Sequence, residues 1–398
     1  MAGGGDRART PLGLPRAAAL YFRLAGAPPD DPLLGTLLDG FADWEALRAL
    51  ARRDGTTGAV WRRVKAAGAA PPPGAADAFR READVLDFHR LLLERRLGEV
   101  LAVLAGAGLT PVLLKGAGLA RTAYRRPAER PMRDLDLLLA RPEAERASAL
   151  LEAAGWRPPS ATGSGLYDGH QHLPPLASPG GDGGVVELHH ALVPPAHPFA
   201  LDAAAIRGRA RSIRVGGAEA LVPAAEDQLL HACLHFAWSH ELRWGFWQLA
   251  ADVAALARGD GATRSSGGLR WRTVAERAAA ARCAAGVHWA LRLAAAVGGA
   301  PVDAGTVAGL RPAAAGDGLL LRHLAHQLAP GPGNVPSVAL ARRLWARALR
   351  PPAMARGALP WAAGAGGARL AMVPIGRRLA AQLGRASAWG RYWRALVG

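Results

Sequence analysis

Between residues 75 and 107 the apolar positions return every three or four residues. Leu86, Leu93, Leu97, Val100 and Leu104 share one face, with arginines and glutamates between them. That is the period of an amphipathic helix. Gly106 and Gly108 end it, and "PPPG" at 71–74 separates it from the helical pattern that precedes it. From residue 110 the period changes. "TPVLLKG" (110–116) is a short apolar run that reads as a buried strand, and "AGLARTAY" (117–124) reads as a helix. "RDLDLLLA" (133–140) alternates as a second strand. "RPEAERASALLEAAGW" (141–156) is a helix, with Pro142 near its start and Gly155 past its end. "HQHLPPLAS" (170–178) and "GVVELHHAL" (184–192) read as strands on either side of the turn "PGGDGG". Strand, helix, strand, helix, strand, strand describes an α/β or α+β layer. From about 224 the pattern is helical again, through 271–298 and 305–328.

This organisation predicts five segments: a poorly ordered Gly/Pro/Arg-rich stretch (1–30), a helical segment (31–109), an α+β core (110–222), a helical domain (223–330) and a basic tail (331–398). The chain has 398 residues, half of them hydrophobic, enough for a substantial core. Cys233 and Cys283 lie far apart, which argues against a disulfide framework or a cysteine metal site. The N-terminal stretch has no apolar signal-peptide region and no run is long enough to span a bilayer, so a cytoplasmic protein is expected.

The net charge of +17 is uneven. After Asp317 there is no acidic residue, and the last 81 residues carry 12 arginines with Trp345, Trp389 and Trp393 among them. Such a tail suits an anionic membrane surface or single-stranded nucleic acid, or forms a helical cap over an acidic face of the same chain.

The strand 133–140 carries the candidate chemistry. Residues two apart on a strand share a face, so Asp134 and Asp136 project together and Leu135 and Leu137 face a core. Paired carboxylates repel unless a cation lies between them. Mg²⁺ or Mn²⁺ held by them with substrate phosphates is the chemistry of phosphoryl or nucleotidyl transfer by two metal ions. Glu187, mid-strand beside His189, is the candidate third acid. Upstream, Lys115 and Gly116 end a strand and open a helix, and Gly118 follows; this is a turn at which backbone amides can meet a phosphate. Lys115 is one of only two lysines in the chain, and Arg130 and Arg133 flank the acids as phosphate clamps. His231 and His235 lie one helical turn apart without an HExxH pattern. They read as substrate-lining or core histidines rather than a zinc site. His170 and His172 pair with Glu187 and His189 as a further patch, and no P-loop or dinucleotide fingerprint appears.

Taken in order, "LLKGAGLA", "RPMRDLDLLL", "VELHHAL" and "PAAEDQLLHACLHFAW" resemble the uncharacterised bacterial nucleotidyltransferase group (nucleotidyltransferase-5 type) of the DNA polymerase β-like superfamily, from roughly 80 to 260. The resemblance implies a polymerase β-like mixed sheet with flanking helices, a helical N-terminal segment and an all-α C-terminal region. It implies Gly116 at the phosphate-facing turn, Asp134 and Asp136 on metal, Glu187 as the third acid and Arg130 before the acids. Asp227 and Asp252 match family positions on the acceptor side, where His189, His231 and His235 are also read, from their own placement, as candidate lining. An NTP would donate a nucleoside monophosphate to an acceptor that the sequence leaves open among peptide, polysaccharide precursor, protein and RNA. Ala117 departs from the superfamily's Gly-Gly or Gly-Ser turn. Two alternatives therefore stay open: a non-catalytic protein of the same fold that binds nucleic acid, membrane or a biosynthetic partner, and a toxin-type enzyme acting on RNA or protein.

Overall fold

The computed structural model describes residues 10–159, 167–181, 184–195, 197–259, 261, 268–312, 317–328 and 338–349. The described chain begins with helices α1 (Arg16–Gly26), α2 (Pro32–Leu38), α3 (Trp44–Asp54), α4 (Thr57–Ala66) and the 34-residue α5 (Pro73–Gly106). The sheet region follows as β1 (Val112–Leu113), α6 (Lys115–Thr122), β2 (Leu135–Leu138), α7 (Arg141–Ala153), β3 (Leu176–Ala177), β4 (Val185–His189), α8 (Ala203–Gly208), β5 (Arg211–Val215) and β6 (Ala218–Val222). Helices α9 (Ala225–Leu234), α10 (Phe246–Arg258), α11 (Trp271–Ala280), α12 (Ala284–Ala296), α13 (Ala304–Gly309), α14 (Asp317–Leu328) and α15 (Val338–Leu349) complete it. This is the expected α+β arrangement, a mixed sheet flanked by helices with a helical C-terminal region.

The six strands run in the order β3-β4-β2-β1-β6-β5. β2 pairs in parallel with β4, and β1 in parallel with β6, while β1 and β2 are antiparallel. The alternation read from the sequence explains what each face does. Leu135, Leu137, Val186 and Leu188 point into one core with Leu93, Leu97, Val100 and Leu104 of α5 and Ala144, Ala147 and Leu151 of α7. Asp136, Glu187 and His189, one residue out of step, take the opposite face. That face is closed by the helical part, whose separate core is built on α1, α9, α10 and α12.

Several expectations need correction. Residues 16–26 are not poorly ordered: they form α1, in which Leu20, Tyr21 and Phe22 are almost fully buried. The Gly/Pro/Arg composition hid an apolar run that packs against α10. Residues 1–9 lie outside the described residues. Both central strands are shorter than their apolar runs. Lys115 and Gly116 belong to α6, and Asp134 precedes β2. Only Leu176–Ala177 of 170–178 is strand, although His172 bridges to His189. The β5–β6 hairpin and α8 were not anticipated. Gly216 (φ 56°) and Gly217 (φ 87°) form the hairpin's tight turn, the left-handed pair that a two-residue loop demands. Most of the predicted basic tail, with Trp389 and Trp393, lies outside the described residues. The described part, α15, buries Trp345 against the helical core, where its indole N–H donates to Ala237 O at 2.7 Å.

Candidate active site

Register brings the acids together. Asp136 on β2 is directly paired with Glu187 on β4, and Leu138 with His189 two residues on. One ligand-capable atom from each of Asp136, Glu187 and His189 lies within 4.8 Å of the others. His189 Nε2 is 2.9 Å from Asp136 Oδ1 and 3.4 Å from Glu187 Oε2. Lys115 Nζ donates to the same Asp136 Oδ1 at 2.7 Å. Asp136 is 1 % exposed, and its other oxygen, Oδ2, has no hydrogen-bond partner among the described residues. A buried carboxylate oxygen left unpaired is costly. It is the feature that a bound cation would relieve.

The electrostatics follow from this crowding. Burial works to raise the Asp136 carboxyl pKa, but Lys115 and His189 hold it well below the usual carboxylate range. The charge on Asp136, then burial, pushes Asp134 up to about 6. Glu187 is also desolvated, yet the His189 hydrogen bond keeps it below its ordinary value. Burial works against the Lys115 ammonium, and the charges of Asp136, Asp134 and Glu187 outweigh it, so its pKa is raised. Asp134, Asp136 and Glu187 together thus carry more negative charge than Lys115 and His189 neutralise comfortably. Carboxylate oxygens suit Mg²⁺, and the neighbouring imidazole makes the set acceptable to Mn²⁺ as well.

Above the acids lies a cavity of about 660 Å³, lined among others by Lys115, Gly116, Arg133, Asp134, Glu187 and His231. One edge of it is the start of α6. Gly118 N–H is the first to bond back inside that helix, to Leu114 O at 3.2 Å. The amides of Lys115, Gly116 and Ala117 therefore have no helical acceptor, the ordinary condition of a helix N-terminus and one that favours an anion. Lys115 itself adopts φ 40°, a left-handed backbone unusual for a residue with a side chain. That turn carries its ammonium back to Asp136.

The glycines have steric duties. A Cβ on Gly116 would come within 2.9 Å of Arg130 Nη1 and of Met132 Cγ. One on Gly118 would collide with the carbonyl oxygen of Leu113. Gly118 thus lets α6 pack on β1 and does not face the cavity's ligand side.

The two arginines divide. Arg130 is buried and clamped by Asp252, with Nε–Oδ1 at 3.1 Å and Nη2–Oδ2 at 2.9 Å. The hydroxyl of Tyr124 donates to Asp252 Oδ1 at 2.6 Å. Arg130 and Asp252 are thus each other's partners, tying the loop before β2 to α10. Arg133 is exposed at the cavity edge, and no ion pair engages it among the described residues. It stacks over Gly55, where a Cβ would lie 2.5 Å from Nη2.

His189 was expected toward the acceptor; the register instead sets it among the carboxylates. His231 and His235 do line the cavity, with ring centroids 6.2 Å apart. Burial, then the Lys115 charge, pushes His231 down to about 3 and His235 well below the ordinary histidine value, so both are neutral near pH 7. They stand at the junction of α9 with a π-helical turn (His235–Ser239), a distortion common at functional sites. His172 lies 3.8 Å from Glu187 Oε2, and His170 packs on His172. Asp227 is held by Arg209 and Arg277, each at 3.0 Å, and so serves as a salt-bridge residue. Nothing in the sequence singles out Trp247, since a tryptophan in an apolar helix reads as core. The residue lines the cavity, and its buried indole N–H has no hydrogen-bond partner among the described residues.

Residues 41–299 match the family described as an uncharacterised nucleotidyltransferase. No curated protein and no solved structure matches the chain.

Proposed function

The chain belongs to this uncharacterised nucleotidyltransferase family, and from that premise we propose that it transfers a nucleoside monophosphate from an NTP to an acceptor hydroxyl with the help of Mg²⁺ or Mn²⁺. The observation that carries the reading is the unpaired, buried Oδ2 of Asp136, set beside Glu187 and His189, with Asp134 lining the cavity just before β2. In this reading Asp134, Asp136 and Glu187 hold the divalent ions. When bound, those ions supply Lewis-acid charge to the phosphate oxygens.

The chain's own groups do the rest. The free amides at the start of α6 and the exposed Arg133 bind the triphosphate. Lys115 shifts from its pairing with Asp136 toward a phosphate oxygen when the acids acquire cationic partners. The acceptor oxygen forms a bond to the α-phosphorus and the bond to the pyrophosphate oxygen breaks. The acceptor's proton passes to a carboxylate of the trio. Arg130, committed to Asp252, positions the loop that carries Asp134 and does not clamp phosphate. Neutral His231 and His235 line the acceptor side as hydrogen-bonding groups.

The test is incubation of the protein with each α-labelled NTP, Mg²⁺ or Mn²⁺ and cell lysate, beside an Asp134→Ala/Asp136→Ala control. Metal-dependent label on a lysate component, absent from the control, supports transfer. Label no higher than the control with any NTP rejects it.

A further inference from the structure

Behind Tyr124 and Trp247 lies a second cavity, of about 710 Å³, separate from the acids. It is walled by the last turn of α4, the segment after α6 and one side of α10. Arg62, Arg63, Lys65, Arg125, Arg126 and Arg258 line it, against a single acid, Glu129. Some of these cations are committed. Arg62 pairs with Asp87 at 2.9 Å, Arg126 lies 3.6 Å from Glu129, and Arg258 donates to the carbonyl of Gly26. Arg63, Lys65 and Arg125 have no carboxylate partner among the described residues; Lys65 only lies over the Trp61 ring, at 5.2 Å. Helix C-termini favour nearby cations, and Arg63, Lys65 and Arg258 stand in the last turns of α4 and α10. Arg125 lies in neither helix, and the mutual repulsion of Arg63, Lys65 and Arg125 favours an anion between them.

The remaining wall is apolar and aromatic. Tyr124 and Trp247 form it with prolines and alanines, and Trp247, which is 2 % exposed and stands between this cavity and the main one, has no acceptor for its indole N–H among the described residues. A volume of this size is that of a small-molecule site, and all of these cations line the one hollow. We propose that this cavity binds a small phosphate-bearing molecule, its phosphate held by Arg63, Lys65 and Arg125 and its body against Tyr124 and Trp247. Binding here does not depend on the chemistry at the acids. It does connect to it, because Tyr124 hydrogen-bonds Asp252, the partner of Arg130.

The lysine content provides a direct test. The chain has two lysines, Lys65 in this cavity and Lys115 beside the acids. The full-length protein is treated with an amine-acylating reagent in the presence of a metal chelator, and modification of each lysine is followed by peptide mass. Pyrophosphate and ribose 5-phosphate serve as probes. At a probe concentration ten times its dissociation constant, Lys65 is expected to react about tenfold more slowly. The protection is expected to vanish in Arg63→Gln/Arg125→Gln. Unchanged Lys65 reactivity at millimolar probe overturns the proposal, and so does protection that survives in the double variant. Protection by RNA but by neither small probe also overturns it, assigning the surface to nucleic acid. The catalytic reading is tested apart from this, by metal-dependent label transfer without chelator, so either can fail alone.

Discussion

Lys115 and Asp136 form an ion pair of 2.7 Å at the base of the main cavity, and Lys115 takes a left-handed backbone to make it. The ammonium is the cation that Asp136 has when no divalent ion is bound. Asp136 needs it because the carboxylate is buried while its second oxygen is unpaired.

Lys115→Met is therefore expected to weaken NTP binding by about tenfold through loss of a charge-assisted phosphate contact. The Asp136 carboxyl should also rise toward its ordinary pKa, since Lys115 helps to hold it down. Equilibrium dialysis with labelled NTP at several pH values measures both. Affinity equal to wild type across the range would show that Lys115 serves only the unliganded fold.

Asp134 gives a pH prediction with a definite sign. Its carboxyl is raised to about 6 by Asp136 and burial. Above pH 6 its ionised form strains the metal-free protein; below the ordinary aspartate value it is protonated both folded and unfolded and has no effect. Asp134→Asn should thus raise the melting temperature at pH 8 by about 2–5 °C. The gain should fade as pH falls through 6. Mg²⁺ should raise wild type more than the variant. Thermal melts at pH 5 and 8, with and without metal, decide it.

The buried pair of Arg130 and Asp252, with side chains 9 % and 4 % exposed, should behave as a unit. Removing one partner leaves an uncompensated buried charge, at a cost of about 3–5 kcal/mol. Arg130→Met and Asp252→Asn are each expected to destabilise strongly, and the double variant less than their sum. Denaturant unfolding of the four proteins gives the coupling. Additive losses would mean that the two residues do not depend on each other.

α1 should be essential. Phe22 is 1 % exposed, and Tyr21 OH lies 2.9 Å from both Asp54 Oδ2 and Thr56 Oγ1. Phe22→Ala is expected to cost about 3–5 kcal/mol, read by denaturant unfolding. A change under about 1 kcal/mol would mean the helix is dispensable.

What the sequence made legible follows its periodicities. The α5 stripe and the alternation in β2 and β4 are local signals, and they carried the fold class and the nearness of Glu187 to the Asp pair. The β5–β6 hairpin was missed although "RVGGAE" holds a two-glycine turn, because glycine and alanine are common throughout this chain and blur the signal. Insertion of β6 beside β1 is a long-range pairing that no local pattern encodes. The contact of His189 with Asp136 was not legible for the same reason: it is set by strand register, not by spacing along the chain. The pairing of Arg130 with Asp252 was not legible because the two lie 122 residues apart.

The measurement closest to the central claim is Mn²⁺ binding followed by the paramagnetic resonance of the free ion, with and without a non-hydrolysable NTP. Wild type is expected to bind Mn²⁺ and to bind it more tightly with nucleotide. Asp136→Asn is expected to lose about a hundredfold or more in affinity, with the Glu187→Gln variant following in the same direction. Equal Mn²⁺ binding by wild type and Asp136→Asn, or nucleotide binding indifferent to the ion, would contradict the assignment of these carboxylates to a metal-dependent transferase site.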